Sequence, residues 1–176
     1  MTLIVTLQEW SNEQQRWSRF YARRLPEQLR AAAAGVGSTK PEALQAHFDT
    51  TLSLLNVTAA RPDLAESWLA LVDRLHPLPV RWGQWTAWLA ILQLAAHKAG
   101  TLNQPARQAE YLAYAADLLL NAGRLAPALD TARQALALAR RNGAAWPLAV
   151  AGNTASATLR GLVPAFLASC RAMLVA

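Results

Sequence analysis

The chain carries a single cysteine, Cys170, in 176 residues. One thiol cannot build an internal disulfide framework, and it suits a reducing compartment, so a cytoplasmic location is expected. Acidic residues are scarce: 11 Asp and Glu stand against 17 Lys and Arg, leaving a net charge of +6. That excess fits an anionic partner, or arginine used simply as the solubilising residue. Long hydrophobic runs are missing too. The most apolar stretch, residues 85–96, is shorter than the ~20 residues of a membrane span and contains Gln93. The N-terminal "TLIVTL" lacks the basic start and the length of a signal peptide.

Histidine is limited to His47, His76 and His97, none placed at i, i+4 with another metal-ligating side chain. "GVGSTK", residues 35–40, holds the residue types of a phosphate loop in the wrong order, with no buried strand before it. Cys170 has no histidine near it in sequence and reads as a packing residue. These absences leave no nucleophile–base pair, no metal cluster and no cofactor motif. The expectation is a protein that is not an enzyme, with no cofactor and no metal.

What the chain does contain is apolar and helix-forming. Hydrophobic residues make up 53% and charged residues only 16%, which disfavours disorder. Alanine and leucine supply much of that fraction, and both favour helices. Glycine and proline divide the chain into eight expected helices. The first, residues 9–34, should be kinked or split by Pro26. A second, with Pro41 in its first turn and Ser38 or Thr39 as N-cap, runs to about 60. Asp63 should cap a third that reaches about 75. After "HPLP", helices are expected at about 80–99, closed by Gly100, and at 106–122, closed by Gly123. Three more follow: one with Pro127 in its first turn that ends at Gly143, one at about 146–160 that ends at Gly161, and one from Pro164 to the end. "TLIVTL" is the one strand-like stretch, and it has no pairing partner.

Internal similarity is visible in the second half. Residues 124–143 lie under 81–100 at a constant offset of 43, so that Gly100 meets Gly143. Residues 161–173 lie under 124–136 at an offset of 37, so that Pro164 meets Pro127. Residues 109–142, with Leu112, Ala115, Ala116 and Leu119, then Gly123, then Ala128, Ala132 and Ala135, resemble the helix–turn–helix unit of the tetratricopeptide repeat family. Alanine at i, i+4 and i+7 makes a smooth face on which a neighbouring backbone can approach. The resemblance covers one unit well and a second in part, and Arg140 stands where the family usually has proline. It implies an all-α fold of antiparallel helical hairpins stacked as a short TPR-like α-solenoid. A single domain is expected over 1–176, with irregular helices over 1–60 and TPR-like hairpins over 61–176. A non-repetitive alanine-rich helical bundle is the alternative.

In the family's geometry the first helix of the matched unit lines a concave groove. Glu110, Ala113, Asp117, Leu120 and Asn121 would point into it. Some family members grip a terminal carboxylate with lysine and asparagine. Ala113 and Asp117 stand in those places, so that role is not expected here. Trp82, Trp85 and Trp88 share one side of a helix, either as a core seam or as an aromatic strip for a partner. Trp10 and Trp17 raise the same question on the first helix. Arg16, Arg19 and Arg23 form a basic stripe, diluted by Glu9, Glu13 and Glu27. A solvated face is the plainer reading of it, and contact with nucleic acid or an anionic surface the less favoured one.

The last helix is apolar nearly all round, with Phe166, Met173 and Leu174 among its residues. A helix of that kind must be covered on more than one side. It points to a homodimer or to a further segment docked there. The function expected is therefore a non-enzymatic protein–protein interaction module binding a protein or peptide. The alternatives are a sensor or regulatory segment of a larger bacterial signalling protein, and a nucleic-acid-binding helical protein.

Overall fold

A computed structural model describes residues 24–32, 41–76, 78–79 and 83–175, the side chains at 41–47, 49–50, 163 and 165–175 excepted. Among the described residues every regular element is helical, and no helix is long and apolar enough to cross a membrane. "TLIVTL", Trp10, Trp17, Trp82, Arg16, Arg19 and Arg23 lie outside them. The chain divides into two compact units, residues 1–75 and 76–176.

In the first unit, residues 24–32 form α1, with Leu25 and Leu29 buried one turn apart. Pro26 lies within this span, and a kink or split on its N-terminal side would fall outside the described residues. Helix α2, Pro41–Thr58, begins on a proline, where the missing N–H breaks no intrahelical hydrogen bond. It buries Phe48, Leu55 and Thr58, spaced by seven and three along one face. The next turn corrects the expected cap. Pro62–Leu64 is a 3-10 turn whose N-cap is Arg61, not Asp63. Asp63 instead accepts the Arg61 fork, Nε at 2.8 Å and Nη2 at 2.7 Å. These hydrogen bonds hold the Asp63 carboxyl below its ordinary value and raise the Arg61 guanidinium. Helix α3, Ala65–Leu75, turns Trp68, Leu69, Val72 and Leu75 inward. The Trp68 indole N–H donates to the Leu55 carbonyl of α2 at 2.8 Å, so this buried ring brings its polar atom with a partner.

The second unit is built on one repeated corner. Backbones with positive φ occur at Gly83, Asn103, Gly123 and Gly143, a constant spacing of 20 residues. The amide following each one reaches back five residues: Gln84 to Pro79, Gln104 to Ala99, Arg124 to Leu119 and Ala144 to Ala139. Beside it, the amides of Asn103 and Gly123 bond back to Gly100 and Leu120. This is the Schellman arrangement, which satisfies the last carbonyls of a helix by placing one residue in the left-handed region. The carbonyls of Gln84, Gln104, Arg124 and Ala144 then accept the first hydrogen bond of the following helix, so each corner ends one helix and starts the next.

The corners separate α4, Trp85–Thr101, α5, Pro105–Asn121, α6, Leu125–Asn142, and α7, Ala145–Val175. Helix α5 packs on α4, α6 and α7, and α6 packs on α7. The same register organises the core. Ala95, Ala115 and Ala135 are each twelve residues past a corner, and all three are fully buried. Ala113, Ala135 and Ala151 meet across α5, α6 and α7, flanked by Leu112, Leu136 and Val150. Ala128 and Ala132 are fully buried as well. Small side chains at these levels let three backbones converge closely.

Two expected boundaries change. Gly100 does not close its helix; α4 continues to Thr101 and the left-handed residue is Asn103. Asparagine tolerates that region better than other residues with a side chain. Gly100 serves another purpose, since a Cβ there would come within 3.0 Å of the Gln108 side chain on α5. At the other end, Gly161 ends nothing: α7 is one helix of 31 residues with Pro164 inside it. The 20-residue register would put the next left-handed residue at Val163, and a β-branched side chain resists positive φ.

Candidate functional site

Helices α5 and α7 lie side by side, and with His76 they border an open cleft of about 410 Å³. Its apolar lining includes Leu118, Leu120, Val150 and Ala157; Tyr114, Asp117, Asn153, Thr154 and Arg160 are polar. Helical spacing explains who faces it. Tyr114, Asp117 and Leu118 are three to four residues apart on α5, as are Val150, Asn153, Thr154, Ala157 and Arg160 on α7.

One wall is held rigidly. The His76 ring stacks on Tyr114 with centroids 3.8 Å apart and planes at 21°. The fully buried Trp88 donates its indole N–H to His76 Nδ1 at 3.1 Å, which leaves the His76 proton on Nε2. Tyr114 accepts a hydrogen bond from the Trp146 indole at 3.0 Å and donates its own to Glu110 at 2.7 Å. Trp146 is nevertheless 61% exposed. The result is a large aromatic surface open to solvent whose orientation is already set.

The residues expected to line a groove separate as follows. Asp117 and Leu120 line the cleft. Glu110 acts one step back, as acceptor for Tyr114, and Asn121 donates to Asp117 at 3.3 Å. Ala113, expected in the groove, is fully buried against Ala135 and Ala151, because its position on α5 turns it toward α6 and α7. Of the tryptophans, Trp88 is core and Trp85 is half-buried. Helix α7 runs through Phe166, Cys170, Met173 and Leu174, whose side chains lie outside the described residues, as does that of His47. His97 is exposed.

Of the residues that line the cleft only Asp117 and Leu120 were singled out as site residues in the sequence; Tyr114, Asn153, Thr154 and Arg160 are among those that were not. Tyr114 had a local signal, since it sits at i+4 from Glu110 and i−3 from Asp117 on the same stripe. The α7 residues become legible only with the 20-residue register, which places Thr154 and Arg160 at the levels of Tyr114 and Leu120, 40 residues earlier.

Lys98 is nearly enclosed, and burial lowers its ammonium from the ordinary lysine value. It does not border the cleft. Among the described residues no group of three or more His, Cys, Asp or Glu side chains is placed to hold a metal ion. Comparison with protein-family models, with characterised proteins and with solved structures gave no match to this chain.

Proposed function

We propose that this protein is a non-enzymatic interaction module of tetratricopeptide type, and that the cleft between α5 and α7 holds a segment of a protein partner. The observation that carries the reading is the pairing of a regular 20-residue corner with a cleft between α5 and α7, helices that stand two apart in the chain. Helices α5 and α6 form one hairpin, and α7 takes the place of the first helix of the next. A stack of that kind presents its first helices on one continuous face, suited to extended ligands. The hairpin repeats every 40 residues here, longer than the family's ~34, and its helices of 17 and 18 residues account for the difference. Trp146, exposed and hydrogen-bonded to Tyr114, suits a binding hot spot, because that bond limits the side-chain freedom lost on binding.

Site-specific photo-crosslinking in cells tests the reading. A benzophenone amino acid at Asn153 or Ala157 should give discrete protein adducts that the same probe at Arg133, exposed on α6, does not. Equal adduct patterns from all three positions, or none from the cleft positions, would rule it out.

A further inference from the structure

We infer that the cleft selects a peptide segment in which an apolar residue is flanked by one basic and one acidic side chain, the base meeting Asp117 and the acid meeting Arg160. The inference rests on the peptide-binding reading above and assigns its chemistry. Asp117 and Arg160 border the same cleft from different helices, α5 and α7. Among the described residues neither takes part in an ion pair, with the other or with a third residue. Asp117 is half-buried and receives one long hydrogen bond, from Asn121 Nδ2 at 3.3 Å. A carboxylate offers about four acceptor sites, and an arginine offers five donors in a planar fork. Both groups thus retain capacity for charge-assisted hydrogen bonds, which strengthen when a ligand displaces water.

The surroundings limit what can fill that capacity. Leu118, Val150 and Ala157 supply apolar lining, which favours an uncharged side chain there. A wholly acidic segment would bring like charge onto half-buried Asp117. A wholly basic one would do the same to Arg160, and like charge at an interface is costly. The His76–Tyr114 stack, fixed by Trp88, Trp146 and Glu110, closes one wall and keeps the geometry constant. The two charges set the register of a bound chain, and the apolar lining supplies contact area.

The test uses the intact 176-residue chain as bait for a phage-displayed library of random peptides. Selected peptides are then synthesised and titrated by fluorescence anisotropy against the unaltered chain, Asp117→Asn, Arg160→Gln and the cleft-filling Ala157→Phe. Circular dichroism and the urea midpoint confirm that each variant remains folded. The selected sequences should carry one base and one acid around an apolar residue, and Asp117→Asn and Arg160→Gln should each weaken binding about five- to thirtyfold. Replacing the peptide's base by methionine should cost little further affinity in Asp117→Asn, and replacing its acid by glutamine little further in Arg160→Gln. Peptides blocked by Ala157→Phe yet indifferent to both charge variants would overturn this inference and leave the groove reading standing. So would selection of a single charge sign. No selected peptide, or peptides unaffected by Ala157→Phe, would overturn both.

Discussion

At the residue scale the four left-handed positions carry most of the architectural information. Gly123 has φ +71°, and a Cβ built there meets nothing within 4 Å. Gly123→Ala therefore tests conformational strain with no steric clash added, and it should destabilise by about 1–2 kcal/mol. Gly152 has a different environment, inside α7, where a Cβ would rest 4.0 Å from Leu136. Gly152→Ala should stabilise by up to ~1 kcal/mol through helix propensity. Urea unfolding of the two variants checks both, and midpoints shifted in the same direction would contradict the assignment. A buried hydrogen bond gives a third case. Trp68→Phe removes the donor to Leu55 and part of the buried indole, and the lost bond and the cavity together should cost about 2–4 kcal/mol in the same measurement.

At the scale of elements, close helix packing depends on small residues at fixed levels. Ala132 is fully buried on α6, the helix that packs on both α5 and α7. Ala132→Phe should cost about 1–3 kcal/mol by overpacking, and an unchanged denaturation midpoint would show that this face does not pack. Helices were legible in the sequence because alanine and leucine propensity and Gly/Pro punctuation are local properties. The register was not. Gly100 offers a conspicuous stop three residues before the true corner, and Asn103 takes the left-handed conformation in glycine's stead. Aligning Gly100 with Gly143 gives an offset of 43, whereas aligning Gly83 with Gly123 and Asn103 with Gly143 gives 40. That slip of three residues, nearly one helical turn, hid the correspondence between α5 and α7 and with it the second wall of the cleft.

For the whole molecule, the division at residue 75/76 makes a prediction about autonomy. Residues 76–176 contain a core of their own in Ala113, Ala135 and Ala151, together with the corners that link α4 to α7. Helices α4 to α7 pack on one another within this unit. A 76–176 fragment should therefore keep its helical circular dichroism and melt cooperatively; a noncooperative melt would mean that residues 1–75 are required. The proposed self-association through Phe166, Met173 and Leu174 is a separate matter for light scattering of the full chain. A dimer that Leu174→Glu converts to monomer supports it, and a monomer at tens of micromolar refutes it.

By itself the sequence determined that the described residues are helical, that the helices of the second half pack on one another, and that Ala128, Ala132 and Ala135 pack inward. Each follows from interactions within about one turn of chain: propensity, capping and the 3.6-residue period. It also indicated that α5 carries a polar stripe through Glu110, Asp117 and Asn121. Only the tertiary structure decided what that stripe faces. His76 stacks on Tyr114, 38 positions later; Trp146 bonds Tyr114 across 32; and Arg160 shares a cleft with Asp117 from another helix. Such contacts depend on the angles at which α5, α6 and α7 pack, and those angles arise from the summed fit of many small side chains in the core.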